Sequence, residues 1–198
     1  YHNFSYTLQN VETEKLDSND NKLSTDGGKV LSSLGYRISK DTRDNRFNPA
    51  SGYYYALSEQ FAGLGGDVNY LSSVLRGSYY YKYDYVDLIV GISGEYGNIE
   101  GIDENVSKTN RFFLGGRKVR GFDSSGIGPR TEENSSASAV GGNNYYAGRV
   151  ALRSGIGLPS ETGIQWTIFT DFGSLWGVDD TIDNYAISTD QKDLRISF

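Results

Sequence analysis

Large apolar residues recur at every second position along most of this chain, and β-strands are the regular structure that sends alternate residues to opposite faces. Phe4, Tyr6 and Leu8 stand opposite Ser5, Thr7 and Gln9. Across 30–41, Val30, Leu34, Tyr36 and Ile38 oppose Ser33, Gly35, Arg37 and Ser39, and across 53–62, Tyr53, Tyr55, Leu57 and Phe61 oppose Tyr54, Ala56, Ser58 and Gln60. The same division holds for 70–83 (Leu71, Leu75, Tyr79, Tyr81 against Ser72, Arg76, Ser78, Lys82) and for 86–97 (Leu88, Val90, Ile92, Tyr96 against Asp87, Gly91, Ser93, Glu95). It returns at 146–156 (Tyr146, Val150, Leu152 against Ala147, Arg149, Arg153), at 164–173 (Ile164, Trp166, Ile168 against Gln165, Thr167, Asp171) and in Leu194, Ile196 and Phe198. No helical period competes, and roughly eight strands are predicted.

The connections are of two kinds. Those at Arg43–Gly52, Asp84 and Leu158–Glu161 are short, whereas 12–28, 98–110, 131–144 and 174–192 read as longer polar loops. Short turns on one rim and long loops on the other describe an antiparallel up-and-down transmembrane β-barrel. Tyr53–Tyr55, Tyr79–Tyr85 and Tyr145–Tyr146 suit the aromatic girdles of such a barrel. A soluble sandwich or lipocalin-like barrel has the same alternation with its apolar face inward. The charges on the polar face (Arg37, Arg76, Lys82, Glu95, Arg149, Arg153 and Asp171) favour a wet lumen.

Composition narrows function chiefly by exclusion. No run of apolar residues reaches the roughly 20 that a spanning helix needs, and a mean hydropathy of −0.51 is compatible with strands whose other face is polar. The 198 residues hold no cysteine and a single histidine, His2, which reads as a terminal residue; disulfides and thiolate metal sites are excluded and imidazole chemistry nearly so. A net charge of −6, from 25 acids interspersed with 19 bases, offers no nucleic-acid surface. With no initiating methionine, the chain is expected to be a piece of a longer one.

One stretch is not explained by strands and turns. Phe112–Arg130 opens on Phe112-Phe113 and Gly115-Gly116, carries Arg117, Lys118 and Arg120 just after Arg111, and runs on through Gly121, Gly126, Gly128 and Pro129. Its Val119-Arg120-Gly121-Phe122 resembles the V-R-G-F/Y signature of the loop that folds back inside outer-membrane insertases. Downstream, Phe169, Asp171 and Gly173 match those proteins' F-x-D-x-G strand motif. Arg43–Gly52 and Gly157-Leu158-Pro159 add weaker matches. The chain thus resembles the BamA-like outer-membrane assembly factors and their two-partner secretion relatives over essentially its whole length.

The resemblance implies a single partial-barrel domain over 1–198, about half of a barrel of about sixteen strands, with an infolded loop at about 112–144. POTRA domains upstream, the first strand and the closing strands would lie outside it. It implies assembly and insertion of β-barrel proteins into the outer membrane of a Gram-negative bacterium. The partners would be unfolded outer-membrane protein clients, accessory assembly lipoproteins and outer-membrane lipid, with no enzyme activity and no cofactor. The alternatives are a two-partner secretion transporter exporting a polypeptide through the barrel, and a soluble β protein with a binding surface.

Parity sets Asp171 on the face of Gln165 and Thr167, hence in the lumen if Ile164, Trp166 and Ile168 meet lipid. Arg120 offers it a planar bidentate partner, and Gly121 lets the backbone turn close to the wall. An Arg120–Asp171 ion pair is therefore expected to pin the loop, with Gly115, Gly116, Val119, Phe122, Phe169 and Gly173 completing the motif. The family pattern often carries a glutamate on the intervening strand, but here it offers Ala151, Leu152 and Arg153. Asp171 is then the only acid expected at the site, and Arg153 a competitor for it.

No catalytic, cofactor or metal residue is predicted. Asp103, Glu104, Glu132 and Glu133 lie in polar runs, and Ser124-Ser125 and Ser135-Ser136 lack a histidine to activate them. Asp179-Asp180 and Asp183 lack the spacing of a calcium loop, and Gly63–Gly66 lacks the lysine of a phosphate loop.

Overall fold

The wall of the molecule is an eight-stranded antiparallel sheet in the order β1-β2-β3-β4-β5-β8-β9-β11. Its strands are β1 (His2–Leu16), β2 (Lys22–Asp41), β3 (Gly52–Ala62), β4 (Tyr70–Tyr83), β5 (Leu88–Gly101), β8 (Asn144–Gly155), β9 (Gln165–Trp176) and β11 (Arg195–Ser197). A small second sheet, β10-β6-β7, joins β6 (Arg130–Glu133), β7 (Ser136–Ala139) and β10 (Ile187–Ser188). This computed structural model describes residues 1–16, 22–133, 136–156, 164–179, 187–188 and 193–198. The sheet is open, with β1 and β11 at its edges.

Which face is apolar decides between the two architectures. Phe4 (72%), Leu75 (51%), Ile92 (51%) and Ile168 (64%) remain exposed on one face of the wall. Asp171, Tyr145 and Ala147 are buried on the other. A soluble sandwich would bury the first set; lipid would solvate it. No helix among the described residues is long and apolar enough to cross a membrane, so strands are the elements available to do so. The aromatic clusters divide by parity. Tyr79, Tyr81 and Tyr83 look outward, but Tyr145, predicted for the girdle, points inward and is 2% exposed.

Four predicted loops are partly strand, the one at 174–192 through the end of β9 at Trp176 and through β10 (Ile187–Ser188). Residues 12–16 and 22–28 continue the β1–β2 ladder down to the Leu16–Lys22 pair, because polar residues do not prevent backbone pairing. Asn98–Gly101 extends β5, pairing Asn98 with both Ser73 and Asn144. The small-residue run at 131–144 contains the β6–β7 hairpin, registered Arg130 to Ala139. The predicted turn at Leu158–Glu161, the motif Gly157-Leu158-Pro159, Ser135, Asp180 and Asp183 lie outside the described residues.

Two apolar clusters lie off the exposed face. Leu31, Ala62, Val68, Tyr70, Ile99 and Val106 pack beneath the 63–69 and 102–111 loops at one rim. Leu114, Val119, Ile127, Tyr145, Ala147 and Leu175 join loop to wall. Phe112 touches both. At the opposite rim, Arg153 of β8 donates to Asn48 Oδ1 and to the Pro49 carbonyl in the β2–β3 turn. That bridge passes over β4 and β5, so the sheet is concave on this face.

The β2–β3 turn is held by a carboxylate. Asp44 Oδ1 accepts the amides of Ala50 (3.0 Å) and Ser51 (3.1 Å), and these backbone donors, Ser51 first, hold its carboxyl below the usual range. A depressed folded pKa means that the contribution is present above the unfolded value of about 3.9 and is lost as pH falls through the folded value. Amide protection at Ala50 and Ser51, corrected for intrinsic exchange, is expected to fall below about pH 4. In Asp44→Asn, whose amide oxygen accepts at any pH, the profile is expected to be flat.

Candidate functional site

The connection that follows β5 enters the concave face over residues 111–130. Phe112 and Gly142 exchange backbone hydrogen bonds of 2.9 and 3.0 Å, and Ile127 donates to the Leu114 carbonyl at 3.1 Å. Between these bridges the amides of Lys118 and Val119 both return to the Gly115 carbonyl, at 2.9 and 3.0 Å, in one tight helical turn. Gly115-Gly116 is required because the two limbs of the loop cross there. A Cβ on Gly115 would lie 2.1 Å from the Asp123 carbonyl, and one on Gly116 2.3 Å from that of Phe122. Val119, fully buried, drives the turn into the apolar cluster. Gly121 then reverses the chain at φ +84°, and Phe122 packs back on the same cluster.

The turn delivers Arg120 to β9. Its Nε lies 2.7 Å and its Nη2 2.9 Å from the two Asp171 oxygens, and its own backbone N–H donates to Oδ2 at 3.1 Å. Phe169, two residues along the same face, sets its ring 3.1 Å from the Arg120 guanidinium carbon. Gly173, two residues the other way, leaves room for the loop. A Cβ there would be 2.9 Å from Val119 Cγ2 and 3.1 Å from Leu114 Cδ2. The three motif positions of β9 thus have separate contacts: a ring beneath the guanidinium, an anion against it and a gap for the neighbouring valine.

Asp171 has a second cation. Arg149, its cross-strand partner on β8, reaches it through Nε at 2.6 Å and Nη2 at 3.1 Å. The expected competitor, Arg153, pairs with Thr167 in the ladder and reaches the Asn48–Pro49 turn instead. The β8–β9 register sets 149 opposite 171 and 153 opposite 167. Two arginines, Arg120 and Arg149, therefore share one buried carboxylate. Arg149→Ala leaves Arg120 to neutralise Asp171, so a loss of only about 1–2 kcal/mol is expected in denaturant unfolding.

A second cluster, not singled out from sequence, lies beside the first. Glu95 of β5 accepts from Lys118 Nζ at 2.6 Å and from Arg76 of β4 at 3.0 and 3.3 Å, and the Tyr145 hydroxyl also donates to it. A cavity of about 230 Å³ between loop and wall is lined by Tyr54, Arg76, Ser93, Glu95, Lys118 and Arg149. Two of the acids given no catalytic or metal role are hydrogen-bond acceptors: Glu104 takes the Asn69 amide at 2.8 Å, and Asp179 takes Val106 N at 2.7 Å and Asn143 Nδ2 at 3.0 Å.

Comparison with known proteins gives a concordant set of likenesses. A family model described as the Omp85 superfamily domain matches residues 1–198. The outer membrane protein assembly factor BamA of Neorickettsia risticii is 32% identical over 179 residues, 90% of this chain and 24% of that protein. A SAM50-like protein of Schizosaccharomyces pombe is 30% identical over 132 residues, 64% of this chain and 27% of that protein. The chain thus spans about a quarter of the length of these curated relatives. The crystal structure of BamA from Haemophilus ducreyi lacking POTRA domains 1–3 is similar in fold, with a TM-score of 0.71 at 16% identity over 82% of this chain and 33% of that one.

Proposed function

The chain belongs to the Omp85 superfamily, and on that premise we propose that it is part of an outer-membrane barrel that assembles and inserts other β-barrel proteins. The observation that carries this reading is the loop clamped by Arg120 and Asp171 on the concave face of a sheet whose apolar residues point outward. The wall supplies a lipid-facing surface, and the clamp holds the loop in the lumen, where Val119 and Phe122 brace β8 and β9. Relatives named as assembly factors favour this over export of a polypeptide. In this reading the domain extends over 1–198, with POTRA domains upstream and further strands completing the barrel. Its clients are unfolded outer-membrane proteins, helped by accessory lipoproteins and the outer-membrane lipid of a Gram-negative cell. The work needs no catalytic group, because strand pairing in the client supplies the free energy.

The test is the full-length protein in proteoliposomes with an urea-unfolded barrel client. Client that becomes protease-resistant and heat-modifiable supports the reading, and Arg120→Ala is expected to reduce its yield about threefold, a barrier change of about 0.6 kcal/mol. Translocation of a soluble polypeptide into the vesicle without client insertion would replace assembly by secretion.

A further inference from the structure

Lys118 and Arg120 flank the buried Val119 and leave the loop in different directions, one to β5 and the other to β9. The Arg120 clamp and the apolar contacts of Val119 and Leu114 hold the loop to β8 and β9, but neither holds it to β5. A contact on that strand fixes the loop's orientation across the sheet. β5 and β9 are separated by β8 alone, about 10 Å across the sheet.

We propose that Glu95, Lys118 and Tyr145 form a second anchor that sets the orientation of the loop independently of the Arg120–Asp171 clamp. Each part is shaped for it. Lys118 Nζ lies 2.6 Å from Glu95 Oε1, 3.0 Å from the Tyr145 hydroxyl and 4.0 Å from the centre of the Tyr145 ring. The hydroxyl accepts from the ammonium and donates to the carboxylate, so the tyrosine fixes both partners of the ion pair. Its ring lies across β5 because position 97 is glycine; a Cβ there would come within 2.2 Å of Tyr145 Cε1. Arg76 takes the other oxygen of Glu95 and brings in β4. The loop is thereby a strut tying β4 and β5 through Glu95, and β8 and β9 through Asp171. Lys118 and Glu95 are positioning residues. The proposal rests on the loop's geometry and not on the assembly reading, and its test reads position alone.

These 198 residues hold no cysteine; in the full-length protein, with any cysteine elsewhere replaced by serine, spin labels at Ser124→Cys in the loop and Leu75→Cys on the outer face of β4 report the distance between loop and wall. The distribution is expected to be narrow in the parent. It is expected to widen about twofold in Lys118→Met and in Glu95→Gln while the Arg120–Asp171 pair is intact, and to stay narrow in Lys118→Arg. Equal widths in the parent, Lys118→Met and Glu95→Gln would overturn the second anchor. Heat-modifiable mobility identifies any variant whose barrel fails to form; Glu95→Gln, nearly isosteric and still able to accept from Tyr145, then carries the test by itself. A failed assembly assay with these distances as expected would leave this inference standing and remove only the functional one.

Discussion

Asp171→Ala is expected to unfold the loop from the wall and to lower stability by about 2–4 kcal/mol, more than loss of either arginine. Five N–H groups converge on this carboxylate: three from Arg120 and two from Arg149. Asp171 is fully buried, whereas its partners keep 38% and 37% of their side-chain exposure. Truncating the anion therefore leaves two cations facing each other with only partial access to water. Breaking a fully dry pair costs about 3–5 kcal/mol, and the exposure of the guanidiniums lowers that figure. Arg120→Ala differs in kind. Arg149 still satisfies Asp171, so the wall stays neutralised while the loop loses its clamp; about 1–2 kcal/mol is expected, with most of the effect on loop position. Urea unfolding together with limited proteolysis between residues 112 and 130 separates the two. If Asp171→Ala and Arg120→Ala had the same midpoint and the same proteolytic pattern, the shared carboxylate would not be the organising charge of the site.

The parts legible in the sequence were those written in periods and motifs. Two-residue alternation placed the wall strands and, through parity, put Asp171, Glu95, Arg149 and Arg76 on one face. The same alternation could not say which face meets water, because a sandwich and a lipid-facing wall share it; the exposure of Phe4 and Ile168 does. Polar runs misled where backbone pairing alone makes the strand, as at residues 12–16 and 22–28, since ladder hydrogen bonds are indifferent to side chains. Arg120 and Asp171 were suggested by their motifs. The partnerships of Arg149 and Lys118 were not, because they depend on the β8–β9 register and on a loop that brings residues 118 and 95 together. Register is a property of pairs of strands, and a wrong choice between Arg149 and Arg153 is a four-residue slip that parity does not detect.

Gly173→Val is expected to evict the loop with every charge of the clamp still present, at a cost of about 2–3 kcal/mol. Valine is a good strand former and glycine a poor one, so on propensity alone this substitution in β9 would stabilise the wall. A loss must then come from what the side chain meets. At Gly173 the first added carbon already lies 2.9 Å from both the Tyr146 carbonyl and Val119 Cγ2, and 3.1 Å from Leu114 Cδ2, all in the packed contact between loop and wall. Gly77, on the outward face of β4, is the control: a Cβ there meets nothing nearer than the Tyr54 carbonyl at 4.0 Å, so Gly77→Val is expected to be neutral or mildly stabilising. Val119→Ala removes one of the offending atoms and should recover part of the loss in Gly173→Ala. It cannot recover all of it, because the Tyr146 carbonyl belongs to the wall and cannot yield without breaking the ladder. A non-additive pair at positions 119 and 173, measured by urea unfolding, would tie the glycine of the strand motif to the valine of the loop motif. Strict additivity would mean that the two motifs act separately.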